Sequence, residues 1–196
     1  MGQTARTEEE FRGGMPFVGG WLWLDLLNTV MSDGRATQDL IATQGGLSAW
    51  LSHAGLVEDG QARPLDGLRA LLRTAVLPLR QGEPIPPDVL SAVNATLDGV
   101  RLRLRLAPTA EGLRLVETLD LADVGTSGAI ARDFAQFVCD HEPQRLKHCD
   151  NPACSMVFYD RGKNNTRRWC TMSICGNRDK VARYRARLAG RKASAG

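Results

Sequence analysis

Long apolar runs and targeting signals are both missing from the 196-residue sequence. No run approaches the roughly eighteen apolar residues that a membrane-spanning helix needs. The first residues, MGQTARTEEEFRGG, are charged and have no apolar segment of the kind that a secretory signal carries. These absences predict a cytoplasmic protein without membrane association, in which thiols stay reduced.

The usual signatures of catalysis are missing as well. The three histidines do not form a cluster, no GxGxxG loop is present, and no nucleophile is paired with a base in a recognisable motif. We therefore expect a binding or regulatory protein rather than an enzyme.

Cysteine is scarce, with five residues in the whole chain, yet four of them lie close together. Their spacing is C-x4-C-x15-C-x4-C, formed by Cys149, Cys154, Cys170 and Cys175. This spacing is typical of a four-thiolate zinc site, because each close pair aims two sulfurs at one point. Tetrahedral Zn²⁺ needs no further ligand, so the sequence predicts one structural zinc ion.

Three alternatives to this zinc site stay open. The cysteines could form disulfides or hold an iron–sulfur cluster, and His148 could replace one cysteine as a ligand. The fifth cysteine, Cys139, is expected to be a small buried residue on the preceding helix.

The segments between and after the cysteine pairs indicate a treble clef. SMVFY has strand composition, DRGKNN is rich in turn residues, and TRRWC is expected to return as a second strand. GNRDKVARYRARLAGRK is expected to form a helix whose inward face carries Val181, Tyr184 and Leu188. Residues 141–196 are thus predicted to form a C-terminal treble-clef zinc finger.

Positive charge is concentrated in the same segment. Residues 1–140 contain 12 Lys and Arg against 18 Asp and Glu, a balance of −6, while residues 141–196 contain 13 against 4, a balance of +9. This asymmetry indicates a polyanionic partner, although a solvated basic tail would have the same composition. The predicted nucleic-acid contacts are Arg161, Lys163, Arg167, Arg168, Arg178, Lys180, Arg183 and Arg187. For Arg167 and Arg168 the alternative is a structural role, in which they hold the hairpin or donate to the sulfurs.

The first part of the chain indicates an α+β domain over residues 17–140, after a disordered N-terminus over residues 1–16. FVGGWLWLDLLNTV is expected to be a buried first element. Apolar spacing predicts a helix in LSAWLSHAG that ends at Gly55, and a second helix that Pro78 ends or kinks. Two more helices are expected in PPDVLSAVNATLDG and after Ser127, with inward faces formed by Leu90, Val93, Leu97, Ile130, Phe134, Phe137 and Val138.

A change of period from helix to strand follows the third of these helices. In VRLRLRLAPTAEGLRLVE, arginines alternate with leucines, and the segment from Pro108 to Gly112 supplies a turn. The pattern predicts an antiparallel hairpin whose leucine face, including Leu102, Leu104 and Leu106, is buried. The arginine row is expected to face solvent, with a nucleic-acid surface as the alternative.

Two polar residues, Asp25 and Asn28, interrupt the apolar LDLLNT segment. Buried polar groups need partners, so hydrogen bonds that fix this first element are one interpretation. The functional alternative is that both line a pocket for a small effector.

These motifs resemble two known families. RRWCTMSICGNRDKVARYRAR, with the preceding MVFYDRGKNN, resembles the CGNR zinc finger, which is named for the residues that are here Cys175, Gly176, Asn177 and Arg178. LDLLNT and SAWLSHAGLV resemble the ABATE domain that accompanies this finger. The resemblance covers nearly the whole chain and implies a bacterial, stress-associated transcription regulator with an α/β N-terminal domain and a treble-clef finger.

The sequence therefore predicts a two-domain regulator, in which an acidic sensor or interaction domain is joined to a basic zinc finger that binds DNA. The alternative is an RNA-binding or protein-interaction module with a structural zinc site. An enzyme whose site lies in the first domain is a third alternative.

Overall fold

A computed structural model describes residues 10–56, 65–120 and 124–193 of the chain. The structure combines helices with four two-stranded antiparallel sheets, so the predicted mixture of α and β elements is confirmed. The helices are Leu22–Asn28 (α1), Gly46–Ala54 (α2), Leu65–Gln81 (α3), Pro87–Leu97 (α4), Gly125–Asp140 (α5) and Asn177–Ala193 (α6). The strands are Phe11–Arg12 (β1), Met15–Pro16 (β2), Val30–Ser32 (β3), Thr37–Asp39 (β4), Arg101–Thr109 (β5), Gly112–Asp120 (β6), Leu146–His148 (β7) and Val157–Tyr159 (β8).

Helix α1 lies at the centre of the main core, as expected for the first apolar element. Its leucines and Trp23 are buried, apart from Leu22 at its start, and it packs against α3, α5 and β8. A helix that is apolar on nearly all sides is stable only when it is surrounded in this way. The Trp23 ring meets Phe134 of α5 edge to face, at 5.1 Å between centroids. Among the described helices, none is long and apolar enough to cross a membrane.

The surrounding helices follow the predicted periodicity with two differences. Gly55 ends α2 in the left-handed region, with φ of 72°, as predicted. Pro78 does not end α3, which continues to Gln81, and a kink at Pro78 stays a prediction. In α4 Val93 is buried and Leu97 packs against the core, as predicted, but Leu90 is exposed and Val89 is buried instead.

The predicted disorder of residues 1–16 is wrong for residues 10–16. Residues 1–9 lie outside the described ranges, but β1 and β2 form a hairpin. Gly13 and Gly14 both have positive φ (55° and 82°), which suits the two-residue turn that closes it. Met15 is buried, and Arg12 donates to the carbonyl of His53 at 2.8 Å. These long-range contacts order a segment whose local sequence gives no periodic signal.

The predicted β5–β6 hairpin forms, but its predicted buried face is wrong. The two strands pair in register from Arg101 with Asp120 to Thr109 with Gly112. Both faces are exposed, and the leucines at positions 102, 104 and 106 are 55%, 59% and 64% accessible. No described helix packs over this sheet closely enough to cover it.

In the finger, β8 pairs with β7. The segment TRRWC does not form a strand, so its prediction as the partner of β8 is wrong. The outer edge of β8 is already used, because Val157 bonds to Asn28 and Tyr159 N donates to the carbonyl of Gly19 at 2.9 Å. No edge of β8 is therefore left for residues 166–170.

The predicted inward face of the last helix is also wrong. Val181, Tyr184 and Leu188 are 48%, 61% and 42% accessible. Helix α6 follows directly from the turn Met172–Gly176, which carries the last cysteine, and its main contacts are with that turn. Its apolar stripe consequently has no described element opposite it.

Asn28 joins the first part of the chain to the finger. Its amide Nδ2 donates to the carbonyl of Val157 at 2.8 Å, and its Oδ1 accepts from Val157 N at 2.9 Å. The side chain thus binds one peptide unit of β8 as a neighbouring strand would. Ser155 adds a second link, accepting from Ser32 N at 2.8 Å.

Replacing Asn28 with Ala should destabilise the whole protein. The change leaves the buried N–H and C=O of Val157 without partners, which costs about 2–4 kcal/mol of unfolding free energy. Urea unfolding of the zinc-loaded protein measures this loss. Asn94→Ala, at an exposed position of α4, is the matched control and should leave the stability nearly unchanged. Equal stability of the two variants would contradict the role of Asn28.

Candidate metal centre and its surface

The structure brings the four predicted cysteine ligands together. The Sγ atoms of Cys149, Cys154, Cys170 and Cys175 all lie within 4.8 Å of one another. Cys170 Sγ is 3.7 Å from Cys154 Sγ and 3.6 Å from Cys175 Sγ. Four sulfurs at about 2.3 Å from a tetrahedral Zn²⁺ would be about 3.8 Å apart, so the spacing fits a four-thiolate site. The cluster is therefore a metal site by geometry and by donor chemistry.

The other candidates for this chemistry lie apart from the cluster. All five cysteines are free thiols, and Cys139 is exposed near the end of α5, so its predicted burial is wrong. His148 is not a member of the ligand cluster found among the described residues. The disulfide alternative is not realised in this geometry.

Local turns hold each pair of cysteines in place. In the first pair, Cys154 N donates to the carbonyl of Asn151 at 2.9 Å, and Ala153 N donates to Asn151 Oδ1 at 3.1 Å. The NPA segment therefore makes the tight turn that its composition predicts. The turn of the second pair begins with Thr171, whose Oγ1 accepts from Ile174 N at 3.1 Å.

Hydrogen bonds among the sulfurs favour a thiolate at Cys149, and they raise the pKa of Cys154 and Cys170, whose thiols bond to that sulfur. The pKa of Cys149 lies well below its usual range, first because the Cys154 thiol bonds to its sulfur and then because those of Cys170 and Cys175 do. The amide of Cys170 also points at Cys149 Sγ, at 3.4 Å. Asn151 Nδ2 approaches Cys175 Sγ at 3.5 Å. With a cation bound the thiols would lose their protons, and the amide of Cys170 and Asn151 Nδ2 would remain as donors to the sulfurs.

The arginines of RRW hold the finger together. Arg167 donates to the carbonyls of Trp169, at 3.1 Å, and Val18, at 3.2 Å, and it also bonds the carbonyl of Cys170. Its guanidinium lies over the Phe158 ring, 4.3 Å from the centroid. These contacts give Arg167 a structural role, which is the alternative to its predicted contact with nucleic acid.

Arg168 and Arg161 also have partners within the protein. Arg168 pairs with Asp150 at 2.7 Å. Arg161 bonds the carbonyl of Gly20 and lies over the ring of Trp21. Their guanidinium groups therefore contribute to local structure, and their nucleic-acid contacts stay predictions.

The remaining predicted contacts lie on exposed parts of the finger. Lys163 is exposed in the loop after β8, and Arg183 forms an exposed ion pair with Asp179 at 2.7 Å. The other predicted contacts on α6 are all exposed: Arg178, Lys180 and Arg187. The sequence correctly places most of the predicted basic residues on the surface, and their partner stays a prediction.

A cleft of about 530 Å³ lies beside the metal site, between the β3–β4 turn and the finger. Asp33 and Arg35 line it from the turn, and Asp150 and Arg178 line it from the finger. Arg35 was missed by sequence reasoning, because the turn that brings it to the finger lies more than 100 residues from the cysteines. A second cleft of about 470 Å³ runs along α6, between Ser173 and Arg185.

Asp25 and Asn28 line neither of these two clefts. Asp25 is buried and accepts from Gly19 N at 2.7 Å. Burial raises its pKa to about 7, a rise that the Gly19 bond opposes and that the nearby carboxylate of Asp133 increases. Both side chains have the structural bonds that their first interpretation expects, and an effector pocket beside them stays a prediction.

Replacing Asp25 with Asn should reduce the pH dependence of stability. Between about pH 4 and pH 7 the folded protein holds a proton that the unfolded chain releases, so unfolding free energy falls as pH rises through this window. Relative to the variant, the wild type should lose about 2–3 kcal/mol between pH 5 and pH 8.

Urea unfolding at both pH values measures this difference. Glu83→Gln, at an exposed position after α3, is the control and should follow the wild type. An Asp25→Asn variant with the same pH dependence as the wild type would show that the carboxyl is ionised in the folded protein.

Comparison with known protein families agrees with the observed arrangement. Residues 20–141 match the family model of the ABATE domain, described as "putative stress-induced transcription regulator". Residues 145–188, which include all four cysteines, match the CGNR zinc finger. A search of curated proteins found no match. The chain therefore belongs to the ABATE family and carries a CGNR zinc finger at residues 145–188.

Proposed function

We propose that this protein is a transcription regulator whose finger binds one structural zinc ion and contacts DNA through phosphates. The observation that carries the proposal is the exposed basic stripe on α6, directly after the last cysteine. Lys180, Arg183 and Arg187 recur at i, i+3 and i+7, which places them on one side of the helix. Cationic side chains on one helix face, next to a small metal site, are suited to phosphate contact.

The proposed zinc ion is structural, because four thiolates leave no open coordination position. The order of elements supports a treble-clef finger: the first cysteine pair lies in the turn between β7 and β8, and the second pair leads into α6. The small core beside the cysteines combines Met156 and Phe158 of the finger with Val18 of the first part of the chain. The metal would therefore supply much of the free energy that holds the loops of the finger.

Zinc-loaded protein should contain about one zinc ion per chain, and Cys170→Ser should lose it. Elemental analysis of protein purified under reducing conditions measures the ratio. Cys139→Ser removes an exposed thiol outside the cluster and should retain the metal. Full zinc content in Cys170→Ser, or none in the wild type, would refute the assignment.

DNA affinity should fall steeply with salt if the finger binds phosphates. Four to six phosphate contacts predict that log K falls against log salt with a slope of about −4 to −5. Replacing Lys180, Arg183 and Arg187 with Ala together should weaken binding to all sequences alike and reduce the slope by about three.

Fluorescence anisotropy on duplex DNA measures both quantities, with zinc content checked in every variant. The charge-matched control replaces Arg101, Arg105 and Arg114 on the β5–β6 hairpin with Ala and should keep the wild-type slope. Unchanged DNA affinity in the zinc-loaded α6 variant would end the DNA proposal.

The ABATE domain is proposed to sense a small ligand or a partner and to pass that signal to the finger. Its support is the direct bonding between the two parts. The segment Val18–Gly20 provides carbonyls to Arg167, Tyr159 N and Arg161 of the finger. Any ligand that shifts this segment would move finger residues with it.

An RNA-binding or protein-interaction module is the second candidate function. The exposed stripe of Val181, Tyr184 and Leu188 on α6 favours the protein-interaction form, because such a stripe is suited to an apolar partner. Binding that survives neutralisation of the α6 charges but is lost in Tyr184→Ala would favour this function. Preference for single-stranded RNA over duplex DNA in the same anisotropy assay would favour the RNA-binding form.

A further inference from the structure

The β5–β6 hairpin carries an exposed apolar face that the proposed function does not use. Its register brings Leu106 opposite Leu115 and Leu113 opposite Pro108, on the same face as Leu102 and Leu104. We name these five leucines the leucine face; they are Leu102, Leu104, Leu106, Leu113 and Leu115. Their accessibility lies between 53% for Leu115 and 72% for Leu113.

A sheet of this kind needs a covering layer. Neither strand pairs with a third strand in the part of the chain that the structure describes. Isolated two-stranded sheets are marginally stable in water, and they become stable when one face packs against another layer. A contiguous apolar patch of several hundred Å² is also unusual on a monomer and marks an interaction surface.

The size of the leucine face suits an interface between two copies. Strands of nine residues are about 30 Å long, and two of them are about 10 Å wide. The five leucines are on average about 61% accessible, which together amounts to roughly 600 Å² of accessible surface. Two copies packed face to face would bury at most about 1,200 Å² in total, which reaches the lower end of specific interfaces.

The charges around this face permit self-association. Glu117 is the one charged side chain on the same face among the side chains that the structure describes, and it pairs with Leu104 in the sheet. If the two-fold axis runs parallel to the strands, Glu117 of one copy faces Leu104 of the other copy. If the axis runs perpendicular to the strands, Glu117 of one copy faces Leu115 of the other copy. The two carboxylates therefore do not meet in either arrangement. The arginines of β5 point to the other face and remain in solvent.

We propose that the protein forms a two-fold homodimer in which the leucine faces of two copies pack on each other. A second copy supplies the same apolar surface with the same outline, and two-fold dimers are the commonest closed assemblies. This interface lies outside the finger, so the proposal does not depend on DNA binding.

Sedimentation equilibrium of the full, zinc-loaded chain tests the dimer. We expect twice the mass of one chain at about 100 µM and a shift toward monomer on dilution, as mass action requires. Leu104→Glu places a second carboxylate in the centre of the face and should raise the dissociation constant at least about a hundredfold. Thr118→Glu lies on the opposite face of the same hairpin and should leave the constant unchanged.

Several outcomes would overturn the proposal. A wild-type protein that stays monomeric at the highest concentration would do so, as would a dimer that Leu104→Glu and Thr118→Glu affect equally. Circular dichroism and zinc content guard against misfolding, which is not expected because Leu104 is exposed. DNA affinity measured on the same variants tests the finger separately, so failure of one proposal leaves the other distinguishable.

Discussion

The bond between Asn28 and Val157 determines how the two parts of this protein are joined. One side-chain amide satisfies both backbone groups of a buried residue 129 positions away. With Gly19 bonded to Tyr159, it occupies the edge of β8 that β7 leaves open. The finger is consequently part of the folded body and not an independent tail. The LDLLNT motif, which the sequence predicts only as part of a buried apolar element, contributes to this joint through Asn28, the last residue of α1.

The metal site depends on this joint. Cys149 and Cys154 lie in the turn between β7 and β8, so their positions are fixed by the same strand that Asn28 holds. Cys170 and Cys175 come from a segment without strand structure. The Arg167 guanidinium bonds both the carbonyl of Cys170 and the carbonyl of Val18, and so links this segment to the first part of the chain. Loss of metal should therefore loosen the interface as well as the finger. These backbone contacts are the direct links between the ABATE domain and the finger.

The sequence predicts the local features of this structure well. Cysteine spacing identifies the ligand cluster because the turns that aim each pair of sulfurs span only a few residues. The end of α2 at Gly55 and the buried face of α5, which includes Phe134, both follow from the residues of the helix itself. The failures involve partners that are distant in sequence. No local signal shows that Asn28 occupies the edge of β8, so the TRRWC segment is wrongly predicted as a strand.

Amphipathic periodicity predicts a buried face for several elements, but only some of these faces are buried in the structure. In α5 the inward face is buried in the core, but the leucines of β5 and the stripe of Tyr184 on α6 are exposed. The patterns are equally regular, because periodicity reports only that one face of an element prefers an apolar environment. It does not say whether this chain provides that environment. Where the same chain leaves a regular apolar face uncovered, the pattern indicates contact with another molecule. For the hairpin, whose two strands have no third strand to stabilise them among the described elements, the covering layer that we propose is a second copy of the chain.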